Sequence, residues 1–158
     1  MTDRAKSIVK ILTIVAIIAL VASFVFVACN KDAKGDSKTV TLIIGVGESY
    51  VTLTETTDNE YMAGLLLELK EAGKIQYEWE NGSYGTYMLS LNNINPQGQS
   101  EWVAVYHDID DVTLRADIGE WPMPNAEYNG KTYYSSSAGV DLLPLVDGHT
   151  YYFTLGTY

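Results

Sequence analysis

The sequence predicts an α+β fold in which one helix packs on one face of a mixed β-sheet. Three observations predict it. Two consecutive stretches between residues 39 and 56 alternate apolar and polar residues at period two. A single stretch after them repeats its apolar residues at i, i+3, i+4 and i+7. Everything from residue 75 onward is short alternating runs separated by turn residues.

The chain of 158 residues opens with Arg4, Lys6 and Lys10, opposed only by Asp3, and continues into an uncharged Ile/Val/Leu/Ala run from Ile11 to Ala28. This apolar signal helix reads as the h-region of an export signal, or at roughly 18 residues as a short membrane span. Its end, Phe26-Val27-Ala28-Cys29, resembles a bacterial lipoprotein box, with a small residue just before the cysteine. In that pathway the thiol takes diacylglycerol and the leader is cut before the cysteine. The resemblance implies a signal peptide over 1–28 and lipid attachment at Cys29. The alternative is an uncleaved signal anchor, and both place the domain on the extracytoplasmic face of the cell membrane. The following polar stretch, NKDAKGDSK, makes residues 29–38 a flexible tether.

Removing 28 residues from 158 leaves 130, enough for one domain over 39–158 with a core of its own. Cys29 is the only cysteine, so no disulfide framework exists within the chain. The mature part holds 7 of the 10 basic and 19 of the 20 acidic residues, a net charge of −12. Such a surface repels phosphate backbones, which disfavours nucleic acid as a partner, and is compatible with cations, basic partners or plain solubility.

Thr39 to Val46 places Val40, Leu42, Ile44 and Val46 on one side, and Tyr50 to Thr56 places Val51 and Leu53 likewise. With Gly47-Glu48 between them, these two strands form a hairpin. Thr57-Asp58-Asn59-Glu60 fits a capping box ahead of the helical stripe Met62, Leu65, Leu66 and Leu69, and Gly73 fits a left-handed cap with Ile75 folding back on the last turn. Ile75, Tyr77 and Trp79 then alternate toward a turn at Asn81-Gly82. Further strands read at Tyr84–Leu91 and Trp102–Ile109, around a second Asn-Gly at Asn129-Gly130, and finally at Thr150–Leu155. The order of hairpin, helix and strands is that of a β-grasp fold.

The tract NGSYGTYMLSLNNI, then Trp102 to Tyr106, Tyr128 to Tyr133, Ala138-Gly139-Val140-Asp141, Val146-Asp147-Gly148 and Tyr151-Tyr152-Phe153, resembles a bacterial transcobalamin-like C-terminal domain over roughly Lys38 to Leu155. In that family small extracellular proteins, often lipid-anchored, carry one β-grasp domain. The resemblance implies a binding module rather than a catalyst, with cobalamin as a candidate cofactor by likeness only. The animal carriers hold cobalamin between this domain and a large helical domain, and no such helical domain is expected from these residues.

Candidate site residues follow from composition. Twelve tyrosines and three tryptophans stand beside three phenylalanines. Rings with a polar handle suit surfaces that are half buried and half wet, and Tyr84, Tyr87, Trp102, Tyr106, Tyr133 and Tyr134 are the candidate ligand-binding set. The alternative is that tyrosine simply suits exposed sheet faces. Trp121-Pro122-Met123-Pro124 reads as a stiffened loop tip within 117–126, either a binding edge or folded back on the sheet.

His107-Asp108-Ile109-Asp110-Asp111 is the densest metal-capable cluster, with Asp108, Asp110 and Asp111 as candidate cation ligands. The competing reading is a solvated acidic turn that blunts a sheet edge. His149 reads as an exposed turn residue to which no partner can be assigned. Two histidines without a free thiol exclude Cys/His zinc sites. Ser135-Ser136-Ser137 lacks the elbow context of a catalytic serine and reads as a strand end or loop. The carboxylate pairs Glu78/Glu80, Asp110/Asp111 and Asp117/Glu120 carry no evidence of a cleft. The function expected is therefore noncovalent binding of a soluble ligand or an envelope protein, without catalysis. A cation-binding accessory role and a structural or adhesive surface role are the alternatives.

Overall fold

The structure, a computed structural model, describes residues 36–83, 85–119 and 124–157. The leader, Cys29, most of the tether, Tyr84 and the tip Trp121 to Met123 lie outside the described residues.

β1 (Lys38–Val46) and β2 (Ser49–Thr57) pair antiparallel, with Leu42 opposite Leu53 and Ile44 opposite Val51. The period-two pattern predicts this hairpin because one face must be apolar. Val40, Leu42 and Ile44 are buried, whereas Val51, on the edge strand, is exposed.

α1 (Met62–Glu71) turns Met62, Leu65, Leu66 and Leu69 inward, and all four are buried. Each such side chain contributes roughly 1.5–3 kcal/mol of transfer free energy. The helix ends as expected. Gly73, at φ 69°, donates its N–H to Lys70 O (3.0 Å), and Lys74 N–H reaches Leu69 O (2.9 Å). That pair of bonds is a Schellman motif, and the positive φ suits glycine. Ile75 is buried behind it.

The start of the helix differs from the expected capping box. The N-cap is Tyr61, whose side chain makes no capping bond. The N–H groups of Met62 and Ala63 instead donate to Leu143 O (2.9 Å) and Val140 O (2.8 Å). Tertiary carbonyls thus satisfy donors that a local side chain was expected to satisfy. Thr57 turns elsewhere. Its hydroxyl donates to Glu68 Oε2 (2.9 Å) and accepts from the Asn59 side chain (2.8 Å).

β3 (Tyr77–Gly82) and β4 (Gly85–Leu91) form a separate two-stranded sheet. Gly82 pairs with Gly85, so the expected turn residues Asn81-Gly82 lie within the ladder instead. Asn81 stays in the ladder opposite Thr86, whose hydroxyl donates to its Oδ1 (2.8 Å). That bond gives the asparagine a role in the strand rather than in the turn.

β5 (Glu101–His107) is followed by a second helix, α2 (Val112–Ile118). The sequence reading expects only strands and turns here, and the single-helix expectation is corrected. With seven residues and one buried side chain, Ile118, α2 offers no repeating stripe to recognise. β6 (Ala126–Tyr128) and β7 (Lys131–Ser135) form the hairpin expected around Asn129-Gly130, and β8 (Thr150–Thr157) closes the chain.

The larger sheet has the order β2-β1-β8-β5-β7-β6. β8 runs parallel to β1 and antiparallel to β5. The fold is therefore α+β with a mixed sheet. On one face, β1 and β8 side chains pack with the α1 leucines, Tyr77, Met88 and Leu143 in the main core. On the other face Ile43, Ala104, Tyr106, Tyr133 and Tyr152 form a second core, with Tyr50, Trp102 and Tyr128 packed against it.

Candidate binding cleft

β5 pairs with β8 along its whole length, from Glu101↔Thr157 to His107↔Tyr151. On its other side it meets β7 only at Tyr106↔Ser135 and His107↔Tyr134. Ser136 prolongs that ladder by one bond, donating its N–H to Val105 O (3.2 Å). The chain then leaves β5. Ala138 N–H bonds the Ser136 hydroxyl (3.2 Å), a local turn that draws the backbone away from the strand. It next reaches β4, where Val140 N–H donates to Thr86 O (2.9 Å) and Asp141 Oδ1 accepts from Thr86 N–H (2.6 Å).

Residues 136–140 thus bridge β5 and β4 at one end and leave a cleft beside them. Its volume is about 300 Å³, and Tyr87, Met88, Trp102, Val103, Ser136 and Gly139 are among the residues lining it. None of the lining residues carries a formal charge at neutral pH. The cleft offers rings and a thioether for apolar contact, and serine hydroxyls with strand backbone for hydrogen bonds.

The structure separates the expected aromatic set. Trp102 and Tyr87 line the cleft, and Trp102 lies half buried across Gly156 on the neighbouring strand. Tyr106 also borders the cleft, but it and Tyr133 are only 7 % and 4 % exposed, because they fill the second core rather than forming a wet face. Tyr134 points to the other side of β7, where the Arg115 guanidinium lies 3.6 Å over its ring. The serine run contributes a strand end and a loop, as expected, and Ser137 donates to Ile118 O (3.3 Å). Among residues the sequence reading passed over, Val103, Met88 and Gly139 line the cleft. Apolar and glycine positions carry no chemical signal that would have selected them.

The acidic cluster is divided among three tasks. The Asp108 side chain, 5 % exposed, accepts from Lys131 Nζ, from Thr150 N–H (2.8 Å) and faces His149 Nδ1 (2.9 Å). Burial pushes its pKa up. The hydrogen bonds from Lys131, Thr150 and His149 outweigh that and hold it below the usual carboxylate value. Asp111 caps α2, accepting from Thr113 N–H and Leu114 N–H at 2.9 Å each, while Asp110 is exposed. His149, expected to be an exposed residue to which no partner can be assigned, is held by Asp108. Among the described residues no group of three or more His, Cys, Asp or Glu side chains is arranged to hold a metal ion. His107, expected beside this cluster, is wholly buried on the main-core side of β5 near Tyr134.

No protein family and no curated protein matches the chain. Among solved structures, the chain is similar to a "putative metal binding protein" from Ruminococcus gnavus, with a TM-score of 0.51 and 15 % identity, over 77 % of this chain and 98 % of that one. At that identity the likeness is one of fold.

Proposed function

We propose that this chain is a lipid-anchored, extracytoplasmic protein whose β-grasp-like domain binds a soluble ligand noncovalently in the cleft between β4, β5 and residues 136–140. The cleft is the observation that carries the reading. At about 300 Å³ it stands at the small end of ligand pockets, and it joins apolar rings to a few hydroxyls and backbone groups. The absence of charged lining favours an uncharged ligand or the uncharged part of a larger one. The strand order, with the last strand parallel to the first beside it, supports the β-grasp reading and with it the transcobalamin-like likeness. A corrin ring is far larger than the cleft, so cobalamin would engage it only by an edge. The apolar leader ending at Cys29 supports the lipid anchor. The role proposed is capture without turnover.

The test is an amide-resolved NMR titration of the full-length protein in detergent with uncharged aromatic amides and, separately, with cobalamin. Saturable shifts at Val103, Ser136 and Gly139 are the expected result. Shifts confined to other regions, or none, would overturn the cleft reading. Cys29→Ala should abolish labelling by a fatty-acid probe and leave an uncut precursor, and persistent labelling would refute the anchor.

The neighbour's description keeps a cation as the second candidate. The acidic side chains it would use are those of Asp108 and Asp110, and the first already binds Lys131 and Thr150. Calcium should therefore leave the melting temperature unchanged. A calcium-dependent rise, lost on Asp108→Ala with Asp110→Ala, would favour the cation instead.

A further inference from the structure

We propose that the ligand of this cleft is an extended peptide segment that adds as a strand to the open edge of β5 at Val103; the proposal rests on the cleft being the binding site. The alternation of the ladder carries it. In an antiparallel pair, successive residues direct their N–H and C=O groups alternately toward and away from the partner strand. Val105 turns its carbonyl away from β8, to Ser136 N–H. Val103, two residues earlier, must turn its N–H and C=O the same way. Continued in register, the chain beyond β7 would place Ala138 opposite Val103, since Ser135 stands opposite Tyr106. Ala138 does not continue the ladder, because its N–H is taken by the Ser136 hydroxyl. Among the described residues no strand pairs with Val103 on that side.

The edge therefore opens into the cleft where the chain's own strand leaves it. Residues 136–140 form the wall of the cleft beside that edge, held to β5 through Ser136 and to β4 through Val140. A peptide strand entering beside them would continue a ladder that already exists. Its side chains would alternate between the Trp102 side of the sheet and the Val103 side, so recognition would combine backbone pairing with two apolar contacts. This is strand addition, in which main-chain bonds supply affinity and alternate side chains supply selectivity. An uncharged groove on a protein of net charge −10 also spares an apolar peptide any charge pairing.

The experiment pans a random linear heptapeptide library against the full-length protein in detergent micelles. Enriched peptides are then resynthesised with single backbone N-methyl groups at each position. Strand addition predicts that N-methylation weakens binding about 3- to 10-fold at alternate positions and little at those between. It also predicts slowed exchange of the Val103 amide. Peptides that bind with no alternating pattern, or without protecting Val103, would overturn the proposal. So would a panning that enriches nothing while aromatic amides still shift the cleft amides; that outcome leaves the cleft as a small-molecule site. Failure of both titrations removes the cleft reading itself.

Discussion

The ring of Tyr50 on β2 stands edge-on to the ring of Tyr128 on β6, 4.8 Å between centroids, although these strands are opposite margins of the six-stranded sheet. The sheet therefore curls until its two edges meet. Tyr152, on the central strand β8, lies 5.9 Å from Tyr50 and 5.3 Å from Tyr128, and its hydroxyl is 3.1 Å from that of Tyr50. Burial and this hydroxyl contact push the Tyr152 phenol up to about 12.

From that closure a coupling follows. Tyr50→Leu and Tyr128→Leu should each destabilise the domain. Together they should fall short of additivity by about 0.5–1.5 kcal/mol, the worth of an edge-to-face pair beyond its buried area. Urea unfolding of the two single variants and the double variant measures it. Strict additivity would mean that the two edges do not hold each other.

Tyrosine excess was legible in the sequence, but its role was not. Period two places Tyr106 and Tyr133 on sheet faces. Whether such a face is wet depends on curl, which is a property of the whole sheet rather than of any strand. The hairpin and the α1 stripe were legible because each is specified by its own periodicity. The Asn129-Gly130 turn was legible from its dipeptide, and both residues adopt positive φ. The helix start was not, because its acceptors, Val140 O and Leu143 O, lie some eighty residues away in the chain. The cleft was half legible: Trp102, Tyr87 and Tyr106 were picked out as rings, while Val103 matters through its backbone, which no residue type announces.

Tyr151 is wholly buried in the main core, yet its hydroxyl is engaged twice. It donates to Pro144 O (2.6 Å) and accepts from Val146 N–H (2.9 Å), fixing the segment that leads into β8. Burial pushes this phenol well above its usual pKa. Tyr151→Phe keeps the ring and leaves two backbone groups without that partner. A loss of about 1–3 kcal/mol is expected, read as a lower urea midpoint with an unchanged slope. A neutral result would show that water or a local shift satisfies both groups.

Trp102 stands opposite Gly156 in the β5–β8 ladder, and a Cβ at that glycine would lie 2.4 Å from the indole. The ring lies flat on the sheet because position 156 has no side chain. Gly156→Ala should force the indole to swing, at a cost of about 1–3 kcal/mol, and change the tryptophan emission. Because Trp102 lines the cleft, the same variant should also weaken binding of the aromatic amides. An unchanged emission spectrum would mean that the backbone, not the indole, yields.

Asp108 and Lys131 tie stability to pH from both sides. The Asp108 pKa is lowered in the folded state, the hydrogen bonds from Lys131, Thr150 and His149 outweighing burial. A carboxylate of that kind stabilises the fold above its unfolded pKa of about 4, and the contribution is lost as pH falls through the lower folded value. Lys131 is the reverse. Its hydrogen bond to Asp108 raises its pKa, so its contribution is complete below about pH 10 and is lost as pH rises through the folded value. The urea midpoint should therefore fall below about pH 4 and again above about pH 10, around a central plateau. Asp108→Asn removes the titrating carboxylate while keeping an acceptor for Thr150 N–H. It should make the acid limb shallower and shift the alkaline limb to lower pH, because Lys131 loses the charge that holds its proton. An acid limb of unchanged steepness would assign the acid sensitivity to other carboxylates and leave Asp108 only a structural acceptor.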